Sequence, residues 1–192
     1  MRKVVFIFIF LFIILIFTGC SVKPPIQNLY ENLLSQGFEG RFLKGRLYVE
    51  GDFSYLLNIP ASGSYGDFYL SQNYFLLRIT PPFGNEIFLE WDNDKGLRVI
   101  VPSRQRVYSP KDEVLKLNGL PYYFLGLKET SRAFHLNSIK GEYFFDREKL
   151  EGRINTAIFY FVWRIKELKE TSSLPKPIDV TGYKEKKISL PF

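Results

Sequence analysis

The stretch from Tyr74 to Trp91 constrains the fold more than any other, because its apolar residues recur with a period of two. In Tyr74–Thr80, Phe75, Leu77 and Ile79 fall on one face while Arg78 and Thr80 fall on the other. In Glu86–Trp91, Ile87, Leu89 and Trp91 oppose Glu86 and Glu90 in the same way. That alternation is what a strand with one buried and one wetter face requires. Between the two strands, Thr80-Pro81-Pro82-Phe83-Gly84-Asn85 cannot extend a ladder, because two prolines lack the N–H and Gly84 and Asn85 accept turn conformations. The motif is therefore a hairpin whose turn carries a large apolar side chain, Phe83.

The rest of the chain supports a sheet-rich reading. Of the 192 residues, 19 are Phe and 12 Tyr, a composition that favours strands. Strands are expected at Arg41–Glu50, Asp52–Ile59 and Ser64–Leu70, with Pro60 to Gly63 breaking the second from the third. Further strands are expected at Leu97–Val101, Gln105–Tyr108, Glu142–Asp146 and Gly152–Asn155. The run Thr156–Leu168 is apolar on both faces between Ile158 and Trp163, which places it inside the sheet. A closing hairpin of Ile178–Thr181 and Lys187–Leu190 completes the set.

Helical spacing of Ile26, Leu29, Tyr30, Leu33 and Leu34 predicts an amphipathic helix stopped by Gly37. Ser109-Pro110-Lys111-Asp112-Glu113 has the form of a capped helix start running to about Asn118-Gly119. Pro121–Leu127 suits a small helix lying over an apolar surface. The expected class is α+β: an incomplete, half-open antiparallel β-barrel of about ten to eleven strands, lidded by two or three short helices.

At the N-terminus, Met1-Arg2-Lys3 and the apolar run Val4–Phe17 have the form of a secretory leader, too short for a membrane-spanning helix. The leader is expected to occupy residues 1–19 and to end in Phe17-Thr18-Gly19-Cys20, which resembles a bacterial lipobox. Cys20 would then carry the lipid, followed by a tether over residues 20–28 and one domain over 29–192. Cys20 is the one cysteine of the chain, so the domain is expected to be stabilised by packing without a disulfide. Acyl chains at about 0.8 kcal/mol per buried CH₂ would hold such a protein on a membrane durably.

Residues suited to catalysis are sparse. His135 is the one histidine, and no Gly-x-Ser-x-Gly elbow presents a serine. Without a second cysteine or histidine, neither a zinc site nor a Cys–His pair is available. Glu86 and Glu90 share a strand face, an arrangement common on polar faces of strands and one that a carboxylate pair would also need. The acidic turn Asp92-Asn93-Asp94 lacks the spaced oxygen ligands and distal Glu of a calcium loop. The formal charge is +6, and the densest basic cluster, Lys184-Glu185-Lys186-Lys187, is mixed with acid, so a nucleic-acid surface is not indicated. No catalytic residue, metal or cofactor is expected.

The order of motifs carries a resemblance. The lipobox is followed by a helix, by Gly40-Arg41-Phe42-Leu43, by LLRITPPFGNEIFLEW, by Leu117-Asn118-Gly119-Leu120-Pro121, by Phe124-Leu125-Gly126-Leu127 and by LPKPIDVTGYKEKKISL. The chain resembles the LolB family of outer-membrane lipoprotein acceptors, which shares its fold with the LolA family of periplasmic carriers. The resemblance implies a half-open β-barrel with a hydrophobic cavity for the acyl chains of other lipoproteins. It further implies a monomer anchored to the outer membrane and facing the periplasm, which accepts cargo from a LolA-like carrier. The family's protruding loop bears an exposed leucine that helps deliver cargo to the membrane; Pro82, Phe83 and Gly84 stand in that place here. The expected cavity residues are Phe75, Leu77, Ile79, Ile87, Leu89, Trp91, Phe159, Phe161 and Trp163. The alternative is a structural or assembly lipoprotein that binds an envelope protein with its sheet. Inward alternation serves a filled barrel and a hollow one equally.

Overall fold

A computed structural model describes residues 25–53, 59–81, 84–110, 119–136, 139–157 and 159–188. Among the described residues its centre is one open sheet of eleven strands that does not close into a barrel, accompanied by two α-helices. Helix α1 is Pro25–Gln36, and strands β1 to β6 are Phe42–Phe53, Ile59–Ser71, Tyr74–Thr80, Ile87–Asp92, Gly96–Val101 and Arg106–Pro110. Helix α2 is Leu120–Phe124, and β7 to β11 are Ser131–Leu136, Ile139–Asp146, Glu151–Thr156, Tyr160–Thr171 and Lys184–Ile188. A 3₁₀ turn, Pro102–Arg104, joins β5 to β6.

The spatial order is β11-β6-β5-β4-β3-β2-β1-β10-β9-β8-β7. Neighbours pair antiparallel except β11, which runs parallel to β6 with Lys184 opposite Arg106. The expected closing hairpin is therefore not formed: Ile178–Thr181 holds no strand, and Lys184–Ile188 reaches the far edge instead. Residues 172–183 carry the chain from the foot of β10 to the head of β11. They span most of the sheet, and an extended segment of that length reaches about 40 Å.

Three boundaries differ from expectation for physical reasons. Asp52 and Phe53 complete β1 rather than opening a new strand, and β2 already begins at Ile59. Pro60 does not break β2, because the register passes from Gly51↔Ser62 to Phe53↔Ile59. Two residues there oppose one, a bulge in which a missing N–H is tolerated. Ser109 and Pro110 extend β6 instead of capping a helix, and the Ser109 hydroxyl donates to the Glu185 carboxylate at 2.5 Å. The helix expected over 111–118 lies outside the described residues. Helix α1 opens at Pro25, inside the span 20–28 expected for a tether.

One face of the sheet builds the core. Leu43, Leu47 and Val49 of β1, Phe68 and Leu70 of β2, Phe75 and Leu77 of β3, Trp91 of β4, and Trp163 and Ile165 of β10 are all buried in one cluster. Helix α1 adds Tyr30 and Leu33 against β10, and ends where Gly37 takes φ 73° and its N–H bonds to the Leu33 carbonyl at 2.9 Å.

Glycine on the inward face makes room for rings on the neighbouring strand. A Cβ at Gly45 would lie 2.5 Å from Phe68 Cζ, and one at Gly152 would lie 2.0 Å from Trp163 Cζ2. A second bulge, where Arg46↔Glu167 is followed by Leu47↔Ile165, bends β10 at the same level. We therefore expect Gly152→Ala to destabilise the protein by about 1–3 kcal/mol through overpacking, read as a lowered urea midpoint at unchanged m-value.

Candidate functional site

Hairpin alternation puts the β1–β2, β3–β4, β5–β6, β7–β8 and β9–β10 connections at one end of the sheet, here called the upper rim. Several inward apolar side chains near this rim are only half-buried. Ile87 at the start of β4, Phe159 just before β10, Phe161 near its start and Ile154 of β9 are half-buried. Below them, Phe75 is 3% exposed, Leu77 1%, Trp91 1% and Trp163 2%.

The nine expected cavity residues thus divide. Phe75, Leu77, Ile79, Trp91 and Trp163 belong to the packed core, while Ile87, Leu89, Phe159 and Phe161 stay partly exposed. Gly84 is described and exposed, and its N–H reaches the Pro81 carbonyl at 3.4 Å; Pro82 and Phe83 lie outside the described residues, as does Cys20. The turn that carries Phe83 joins β3 to β4 and so belongs to the upper rim.

The lower part of the concave face is filled by α2. Phe124 stacks on Trp163 with ring centroids 5.6 Å apart and planes 6° from parallel, and meets Phe75 at 4.7 Å and Phe68 at 5.2 Å. Four successive carbonyls at the end of this helix are each taken by a side chain from elsewhere. The Tyr143 hydroxyl donates to Tyr123 O at 2.5 Å, Trp163 Nε1 to Phe124 O at 2.9 Å and the Tyr30 hydroxyl to Leu125 O at 2.7 Å. Arg147 closes the set on Gly126 O through Nε at 3.1 Å and Nη2 at 2.9 Å. Tyr123 O also accepts the Gly126 N–H at 3.0 Å, and the sheet and α1 supply further donors to carbonyls of the kind a helix terminus leaves open.

Sequence reasoning did not single out this clamp. Pro121–Leu127 was legible as an apolar covering helix, but Tyr30, Tyr143 and Arg147 lie far from it in the chain, and no local spacing signals that they converge.

Trp91 contrasts with Trp163. Its Nε1 is buried and has no hydrogen-bond partner among the described residues. A buried donor left unpaired costs about 1–3 kcal/mol. On the opposite face, Glu90 is 2% exposed and is held by Arg98 Nε at 2.7 Å and by the Tyr74 hydroxyl at 3.0 Å. Glu86 precedes β4 and pairs with Arg78 instead. The two carboxylates expected on one strand face are therefore bound to different arginines and do not form a pair. Asp92 Oδ1 accepts from the Asp94 and Lys95 amides at 2.9 and 3.2 Å, which assigns the acidic turn to turn-making. His135 stands opposite Lys140 in the β7–β8 ladder, its side chain outside the described set. Among the described residues, no group of three His, Cys, Asp or Glu side chains is placed to hold a metal ion.

The outer face carries a different surface. Ser131, Ala133, Glu142, Phe144, Arg153 and Asn155 line a shallow groove of about 280 Å³. Further along, Tyr65 is 56% exposed and lies edge-on to Tyr48 at 5.6 Å, with the Arg46 guanidinium 5.7 Å from its ring. The chain matches no protein-family model, and no curated protein sequence matches it.

Burial sets the ionisation of the clamp. It pushes the Tyr30 hydroxyl up to about 12 against the opposing Arg147 guanidinium, and it raises Tyr143 as well. Tyr74 is raised by burial and by the Glu90 carboxylate that its hydroxyl serves. The unfolded chain ionises these phenols near 10, so their contribution to stability is complete below that pH. It is lost as pH climbs toward and through 12. The urea midpoint is expected to fall between pH 9 and pH 11.5, and Tyr30→Phe to flatten part of that fall. At neutral pH, Tyr143→Phe is expected to cost about 1 kcal/mol for its lost bond to Tyr123 O, read by the same unfolding titration.

Proposed function

We propose that the chain is a lipid-anchored protein of the outer membrane that binds the acyl chains of other lipoproteins and passes them into the membrane without catalysis. The reading is that of a LolB-like acceptor, a half-open barrel with an acyl-binding interior. The observation that supports it is a group of half-buried apolar side chains near the upper rim. The half-buried apolar side chains Ile87, Phe159 and Phe161 sit at the same rim as the turn bearing Pro82-Phe83-Gly84.

Acyl chains buried at about 0.8 kcal/mol per CH₂ need no other driving force than a more apolar destination. On this reading the β3–β4 turn and the half-buried apolar residues near it would serve membrane contact and acyl-chain entry at the same end of the sheet. Cargo would arrive from a periplasmic carrier of the LolA kind, and Cys20 would supply the anchor.

A second reading, an assembly lipoprotein that binds an envelope protein, is favoured by one feature: the exposed Tyr65 beside Tyr48 and Arg46 on the outer face. Tyr and Arg are enriched where protein partners bind.

Native mass spectrometry of the protein expressed in a diderm host distinguishes the two. Lipid or acylated peptide bound near one-to-one is expected; a clean apo mass without uptake of a fluorescent fatty-acyl probe would transfer the assignment to the scaffold. In cells depleted of the native protein, Phe83→Glu is expected to reduce lipoprotein delivery at least tenfold, since a carboxylate is expelled from a bilayer where phenylalanine is accepted. Normal delivery by that variant would remove Phe83 from the mechanism.

A further inference from the structure

Along the chain, Lys184, Lys186 and Lys187 surround Glu185, a mixture of signs. The strand sorts it, because successive residues of a strand face opposite sides. β11 lies in register with β6, Lys184 opposite Arg106 and Lys186 opposite Tyr108. Across β5, Arg106 meets Val101 and Tyr108 meets Val99, whose partner on β4 is the inward Leu89. Arg106, Lys184 and Lys186 therefore share the concave side of the sheet. Glu185 falls on the convex side, where it takes the Ser109 hydroxyl at 2.5 Å.

β11 runs parallel to β6, so both strands open at the upper rim. The Lys184 N–H bonds there to the Gln105 carbonyl at 2.9 Å, and Arg104 ends the 3₁₀ turn just before it. All four cations are exposed, and among the described residues no ion pair joins them to an acid. Asp179, in the segment that leads to β11, is occupied by the Thr181 amide and hydroxyl. Burial raises the Tyr108 phenol, but the Arg106 and Arg104 guanidinium groups beside it outweigh burial and lower it, a mark of positive potential at this corner.

The β3–β4 turn and the half-buried Ile87, Phe159 and Phe161 belong to the same rim. Cations and apolar side chains at one end match the order of groups in a lipid leaflet, phosphate outside and hydrocarbon within. An acidic protein surface would answer the charges alone. We infer that Arg104, Arg106, Lys184 and Lys186 form a cationic corner of the upper rim that docks on the phosphates of an anionic lipid surface. The inference rests on the reading above for the membrane-facing orientation of the rim, and it names the lipid chemistry the rim meets.

The test uses the full chain reconstituted in vesicles of phosphatidylcholine alone and of phosphatidylcholine and phosphatidylglycerol at about two to one. Backbone hydrogen exchange is followed by mass spectrometry in peptides spanning 101–106 and 183–186, with the β4–β5 turn at the opposite end as reference. Phosphatidylglycerol is expected to slow both rim peptides about threefold or more and to leave the reference unchanged. About 1 M sodium chloride, which screens charges beyond about 3 Å, is expected to abolish the slowing. Arg104→Gln combined with Arg106→Gln is expected to abolish most of it, with the reference turn showing that the variant is folded.

Equal exchange on the two vesicles, or slowing that survives salt, overturns the inference. Equal slowing by inorganic phosphate without vesicles does so too, by making the corner a site for a soluble anion. Native mass spectrometry of the same preparation separates this result from the acyl-binding reading. Bound acyl chain with a lipid-indifferent rim keeps that reading and removes the inference; a responsive rim without acyl uptake does the reverse. The wild-type lipid and salt arms decide without any variant.

Discussion

The contact on which the rest of this structure depends is the stack of Phe124 on Trp163, together with the four hydrogen bonds that hold the backbone on either side of it. An eleven-stranded open sheet has two edges and a concave face, and nothing in its own ladder fixes its curvature. Helix α2 supplies that constraint by touching β2, β3 and β10 with one ring, through Phe68, Phe75 and Trp163. Its carbonyls then bind α1 through Tyr30, β8 through Tyr143, β10 through Trp163 and the β8–β9 turn through Arg147. At about 1 kcal/mol for each bond the clamp is modest term by term. Its effect comes from connecting segments that lie more than a hundred residues apart in the chain.

Curvature of this kind needs space as well as attraction. Rings as large as Phe68 and Trp163 cannot lie against a sheet whose inward positions are all filled. Gly45 and Gly152 stand where those rings come down, and the bulge between Arg46 and Leu47 adds twist at the same level. The edges are treated unequally. β11 has three lysines in five residues, the usual guard against further pairing, whereas β7 has one basic residue besides His135.

How much of this was legible follows from the range over which each signal acts. Tyr74–Thr80 was readable to the residue, because alternation is a local consequence of the pleat. α1 was readable from spacing and from Gly37, and Pro121–Leu127 as an apolar helix was readable from composition. Pro60 misled, since a proline reads as a strand break until the partner strand shows that it sits in a bulge. The parallel pairing of β11 with β6 was invisible because the strand's partner lies nearly eighty residues away. Of the candidate site, the inward faces of β3, β4 and β10 could be assigned from alternation, but not the division between packed and half-exposed residues. That division is made by α2, whose position depends on Tyr30, Tyr143 and Arg147.

The same division bears on how an apolar ligand would reach the interior. At the lower end, admitting a chain means displacing Phe124 from three aromatic neighbours and breaking up to four side-chain hydrogen bonds to adjacent carbonyls in a dry setting. At the upper rim, Ile87, Phe159 and Phe161 are already partly in water, so covering them with hydrocarbon releases free energy. An acyl chain that enters therefore comes from the rim and stops against α2.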